Sequence, residues 1–195
     1  MSTNRGKPSV VVRQAERSGT PSRAATARER CLRYFITFAC YGALLHGDES
    51  GSVDRRQNLV GSRLLAPDAK RVMAERRAML QYPYVLDEAD RAVVLEAIRR
   101  HCAHRGWNLL AAHVRSNHVH TLVEAEARPE RIMNEFKSYA TRELNRLTSE
   151  GPDRKRWTRH GNTRWLWKDE DLRQALQYVI DEQGEPMAVF VAEEL

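Results

Sequence analysis

Two histidines, His118 and His120, flank a single apolar residue in Asn117-His118-Val119-His120 and lie inside an apolar run that continues through Val123. Side chains at positions i and i+2 leave a pleated strand on the same side, so both imidazoles can reach one ion. Nineteen residues after His120, Tyr139 stands in Phe136-Lys137-Ser138-Tyr139. A tyrosine on a helix can supply a nucleophilic oxygen to a group that a metal polarises. About one chain in four of this composition would contain a His-x-His pair by chance, so the elements around the pair must carry the argument.

The helix bearing Tyr139 is informative. Setting Phe136 at zero and advancing about 100° per residue, Ile132, Met133, Ala140, Leu144 and Leu147 gather on one apolar face. Glu143 falls at about −20°, inside that face, and Tyr139 at about −60°, at its edge. A carboxylate on a buried face needs a cation, either a metal ion or a basic side chain. The same positions also suit a core-edge tyrosine with a solvated hydroxyl, a glutamate that escapes to water near the helix end, and half-buried histidines with hydrogen-bond partners.

The chain has 195 residues, 42% hydrophobic and 30% charged, which suits one folded domain with extensions. No apolar run is long enough to span a membrane, and the basic N-terminus lacks the apolar block of a secretory signal. Cys31, Cys40 and Cys102 have no CxxC spacing and are expected as reduced thiols of a cytoplasmic protein. Residues 1–30 carry seven Arg or Lys against Glu16 and Glu29, so this stretch holds +5 of the total +6. It is expected to be a disordered basic arm that adds salt-sensitive affinity for nucleic acid. A second basic stretch, Arg154 to Lys168, contains no acid and three tryptophans, Trp157, Trp165 and Trp167. Arg156, Arg159, Arg164 and Trp165 there, with Lys137 on the tyrosine helix, are candidate contacts to single-stranded DNA.

The alternation of elements supplies the scaffold. Cys31 to Tyr41 reads as a central strand, Gly42 to Ala66 as a long loop, and Pro67 to Leu80 as a helix. Tyr82 to Leu86 reads as extended. Asp87 caps a helix that ends at Gly106, with Val94, Ile98 and Cys102 recurring every four residues. Strands over 107–115 and 118–124 follow, then a helix from Pro129 to Thr148 and a last helix from Asp169 to Gly184. This order predicts an α+β, ferredoxin-like (RRM-like) antiparallel sheet with helices on one face and the His pair on a central strand. The expected division is an arm over 1–30, a domain over 31–183 and a C-terminal tail over 184–195.

Asn117-His118-Val119-His120-Thr121-Leu122-Val123 resembles the HUH motif of single-strand nucleases, and Tyr139 resembles the single tyrosine of IS200/IS605-like Y1 transposases. Tyr34 through Arg55, with Leu45-His46-Gly47-Asp48 and Gly51-Ser52-Val53-Asp54-Arg55, resembles the REP-associated tyrosine transposase branch, as does Arg159-His160-Gly161-Asn162-Thr163-Arg164-Trp165-Leu166-Trp167. The resemblance spans about residues 31–183. It implies that His118, His120 and Glu143 bind Mg²⁺ or Mn²⁺, and that Tyr139 attacks a scissile phosphate to form a 5′-phosphotyrosine. It places the loop carrying Arg55 near DNA. The implied substrate is single-stranded DNA at a hairpin, and the implied protein is a monomer or homodimer in the bacterial cytoplasm, associated with the nucleoid, without an obligatory protein partner. Two rival readings are a catalytically silent hairpin binder and a metal-dependent hydrolase in which Tyr139 is structural.

Overall fold

The computed structural model describes residues 32–43, 45, 66–148 and 150–193. The expected basic arm, Cys31 and most of the long loop, including Arg55, lie outside the described residues. The described elements are β1 (Leu32–Cys40), α1 (Ala69–Ala78), α2 (Glu88–Arg105), β2 (Asn108–Val114), β3 (His118–Ala125), α3 (Pro129–Leu147), β4 (Trp157–Leu166), α4 (Asp169–Ile180) and β5 (Ala188–Val191). Every strand pairing is antiparallel, and the sheet order is β4-β1-β3-β2-β5. The first four strands have the ferredoxin-like order, with β3 in the middle. Among the described residues no helix is long and apolar enough to cross a membrane.

α2 begins and ends where its sequence provides a cap. The Asp87 carboxylate accepts the Asp90 N–H at 2.8 Å, and Gly106, at φ +66°, closes α2 in the left-handed region. Asp169, Glu170 and Asp171 crowd the first turn of α4, where the helix dipole favours negative charge. The Asp171 carboxylate also accepts the Lys168 N–H at 3.3 Å.

The sheet is covered on both faces. Tyr34, Ile36 and Phe38 of β1 and Val119 and Val123 of β3 pack with Val94 and Ile98 of α2 and Ile132, Phe136 and Leu144 of α3. Each such side chain, fully buried, contributes about 1.5–3 kcal/mol. On the opposite face Leu110, Ala111 and Leu122 meet Ala175 and Val179 of α4, with Phe35, Leu172 and Leu176 at the margin. The helix pair α2 and α3 thus occupies one face as expected, and α4 adds cover on the other. The segment 184–195, expected as a tail, contributes β5, which pairs with β2 from Ala111↔Val191 to Val114↔Ala188. The basic Trp-rich segment forms the edge strand β4. Cys40 and Cys102 are free and buried, and burial pushes both thiols up to about 12.

Gly161 lets β4 lie close against its neighbours. A Cβ at this position would fall inside van der Waals contact with the Thr37 carbonyl oxygen and the Met133 sulfur. The sulfur ends a flexible side chain, but the carbonyl is main chain and cannot step aside. G161A is therefore expected to cost about 1–3 kcal/mol through overpacking, read as a lower denaturation midpoint. An unchanged midpoint would contradict this packing.

Candidate functional site

Strand alternation decides which face carries the chemistry. Along β3, Val119, Val123 and Ala125 belong to the core under α2 and α3, while Leu122 belongs to the core under α4. His118 and His120 share the parity of Leu122 and therefore face α4. The register extends this rank across the sheet: Asn162, Thr37, His120, His113 and Val189 stand opposite one another from β4 to β5.

Tyr139 and Glu143, on α3, lie on the other side of the sheet. The expectation that they join the His pair is corrected by this placement. The Tyr139 ring stacks on His101 of α2 with centroids 3.9 Å apart, and Arg142 lies over it at 4.7 Å. The Glu143 carboxylate pairs with Arg146 at 2.7 Å. Its position on an apolar stripe is thus resolved by a basic neighbour one turn on, and its side chain is 23% exposed. Among the described residues no group of three or more His, Cys, Asp or Glu side chains is placed to hold a metal ion.

The residues that do meet the pair come from the C-terminal part of the chain. Gln183 Oε1 lies 3.1 Å from His120 Nε2 and 3.5 Å from His118 Nε2. The Tyr178 ring stands edge-on to His120, with centroids 5.5 Å apart, and against Phe35 at 5.9 Å. Tyr178 is 38% exposed, so its ring is held while its edge meets solvent. Leu172, Ala175, Leu176 and Val179 form the stripe that α4 buries, and Tyr178 sits at the edge of that stripe. Beyond the helix the chain turns back through Gly184, at φ +71°, and the Gln183 amide donates to the Tyr178 carbonyl at 3.1 Å.

Neighbouring groups orient both imidazoles. Asn117 Oδ1 accepts from His118 Nδ1 at 2.6 Å, which leaves a lone pair on Nε2 facing the Gln183 oxygen. Two acceptors facing each other at this range is an arrangement that a cation stabilises. The Thr37 hydroxyl bonds His120 Nδ1 at 2.8 Å, and a hydroxyl can serve either tautomer of that ring. Two imidazole nitrogens and one amide oxygen, each oriented by a second group, form a donor set suited to a divalent transition ion or Mg²⁺.

The proposed DNA contacts divide by burial. Lys137 is only 8% exposed and donates to the Thr158 and His160 carbonyls at 3.0 and 3.1 Å, while burial pulls its ammonium down to about 8. Arg156 is 2% exposed and donates to Thr148 and Glu150. Neither presents its charge to a ligand, so both assignments are corrected to structural fastenings of β4. Trp157 is likewise packed, its indole N–H donating to the Thr141 hydroxyl at 2.9 Å. Arg159 and Arg164 are exposed, the latter 3.6 Å from Asp171. Trp165 and Trp167 are 38% and 67% exposed and stack nearly parallel, with centroids 5.1 Å apart and planes at 11°.

Residues 73–179 match the family model described as "Transposase IS200 like". Among solved structures, the chain is similar to a REP-associated tyrosine transposase bound to a REP hairpin, with 12% identity and a TM-score of 0.41 over 76% of this chain and 64% of that one. The chain thus spans less than two thirds of the length of that relative. It is also similar to a candidate transposase of Deinococcus radiodurans, with 14% identity and a TM-score of 0.41 over 88% of this chain and 98% of that one. No curated protein matches.

Burial, reinforced by repulsion between the two rings, lowers His120 to about 3, and burial lowers His118 from its ordinary 6.5. The unfolded chain therefore takes up protons that the folded rings refuse. The resulting stability is full above about pH 6.5 and declines as pH falls toward the folded value of about 3 for His120. Urea melts of metal-free protein at about pH 7.5, 6.0 and 5.0 should show this decline, with a shallower slope for H120Q. Equal slopes in the two proteins would contradict the neutral, buried assignment.

Proposed function

We propose that this chain, which belongs to the IS200-like transposase family, cuts and rejoins single-stranded DNA at a hairpin with Tyr178 as its nucleophile. The observation that carries this reading is the convergence of Tyr178 and Gln183 on His118 and His120, on one face of the sheet. The hairpin is the substrate implied by the sequence resemblance, and the exposed Trp165–Trp167 stack with Arg159 and Arg164 suits unpaired bases and phosphates.

His118, His120 and Gln183 would hold the Mg²⁺ or Mn²⁺. Such an ion supplies Lewis acidity toward a phosphate oxygen. The chain's own part is positional. Phe35 and His120 hold the Tyr178 ring, so that its hydroxyl can be presented to phosphorus. Attack forms the bond from the Tyr178 oxygen to phosphorus as the bond to the 3′ oxygen breaks. The phenol proton passes to water at the exposed edge, and the departing 3′ oxygen takes up a proton to become a hydroxyl. Attack of a 3′-hydroxyl on the resulting 5′-phosphotyrosine restores a phosphodiester. One ester is exchanged for another in each direction, so no external energy source is required.

Labelled hairpin DNA incubated with Mg²⁺ or Mn²⁺ and run on a denaturing gel tests this reading. Wild type and Y139F should form a covalent adduct. Y178F should form none, and H118A should lose cleavage while retaining hairpin binding. An adduct that survives in Y178F overturns the choice of nucleophile. Cutting without an adduct favours a hydrolase, and binding without cutting favours a silent binder. Replacing Trp165 and Trp167 together by alanine should weaken binding to the unpaired segment by about 10–100-fold, following a base-stacking contribution of ~1–3 kcal/mol. Unchanged affinity in a titration would remove the stack from the DNA surface.

A further inference from the structure

We infer that His113 is a positioning residue that sets where Tyr178 and Gln183 stand over the His pair. The inference rests on the reading of Tyr178 as nucleophile given above. His113 lies near the C-terminal end of β2, fully buried, directly beside His120 in the strand register. Its two ring nitrogens face two different parts of the C-terminal segment. Nδ1 donates to the Val179 carbonyl at 2.8 Å, and the Met187 N–H donates to Nε2 at 3.3 Å. The pairing needs a neutral ring with its proton on Nδ1.

Both fastened groups bracket the residues that meet the His pair. Val179 follows Tyr178 directly, and its carbonyl is one of the last four of α4, which have no partner within the helix. Met187 ends the turn that contains Gln183 and leads into β5. Two residues further on, just past the end of β2, Arg115 donates to the Glu185 carbonyl at 2.6 Å and holds the same turn at its rim. β2 and the residue that follows it thus fix the segment 179–187 at three main-chain groups, two of them through one imidazole.

Folding has other supports here. The Leu172, Ala175, Leu176 and Val179 stripe still buries α4, and β5 still pairs with β2. Loss of the His113 bonds therefore acts on the aim of Tyr178 and Gln183 more than on the presence of the helix. Supporting contacts of this kind hold reacting groups to within about 0.5 Å, and a displacement of about 1 Å can cost about 100-fold in rate.

The test compares wild type with H113F, which keeps a ring without either bond, and H113N, whose amide N–H stands near Nδ1. Amide hydrogen exchange over 180–187 should accelerate by at least about 10-fold in H113F, while exchange over 119–125 stays as in wild type. Adduct formation in single turnover should slow by about 10–100-fold, hairpin affinity should stay within about 2-fold, and H113N should recover much of the rate. Folded H113F with unchanged exchange over 180–187, or with an adduct rate within about 2-fold of wild type, overturns the inference. If H113F does not fold, H113M carries the same comparison, because its flexible side chain fills irregular space. Should wild type form no Tyr178 adduct, the reaction reading fails by itself, and the exchange measurement still decides whether His113 fixes the segment.

Discussion

The two-residue alternation of β3 is the constraint on which the site depends. This strand is the middle of five and is buried on both faces, so every residue must be suited to one packing layer or the other. Val119 and Val123 satisfy the layer under α2 and α3. His118, His120 and Leu122 fall to the other layer, and α4 is the helix that covers it. A shift of one residue in the β1–β3 register would exchange these sets and bury the imidazoles under α3. The position of the candidate site is therefore a consequence of core packing.

That packing also explains the electrostatics. Burial lowers both imidazoles from the ordinary histidine value, and the adjacent His118 ring lowers His120 further, which favours lone pairs available to a cation over protonation. Asn117 and Thr37 orient the rings, and the segment after α4 brings an amide oxygen to them. The chain belongs to the IS200-like transposase family, and the proposed transesterification uses this arrangement without further machinery. The proposed nucleophile and one proposed metal donor come from a helix end and a turn that β2 fastens, so the accuracy of the site is tied to the strand between β3 and the edge strand β5.

Much of the scaffold was legible in the sequence because the signals were local. Asp87 and Gly106 bound α2, Pro129 opens α3, and the His pair sits on the strand that its apolar run implied. Long-range choices were less accessible. Helical periodicity correctly turned the Phe136 face of α3 toward the sheet, but it could not say which side of the sheet α3 covers, and Tyr139 at the edge of that face meets His101 of α2. Glu143 looked anomalous until Arg146 supplied its partner, and Lys137 and Arg156 looked like surface cations until burial tied them to main-chain and side-chain acceptors. One signal could have identified Tyr178. Phe35 of β1 and Leu122 of β3 stand beside the His pair on the face that α2 and α3 leave, and the Leu172–Val179 stripe is the apolar face available to cover them. β5 escaped notice because four residues after a turn carry too little periodicity to distinguish from a tail.

Whether the chemistry belongs to the α4 face of the sheet is read most directly from the peptide that retains a nucleotide after reaction with hairpin DNA, nuclease trimming, trypsin digestion and mass spectrometry. Cleavage after Arg173 releases residues 174–195 with Tyr178, whereas cleavage after Lys137 and Arg142 releases Ser138-Tyr139-Ala140-Thr141-Arg142. The nucleotide is expected on Tyr178 in the first peptide. A nucleotide on Tyr139 in the second would place the chemistry on the opposite face.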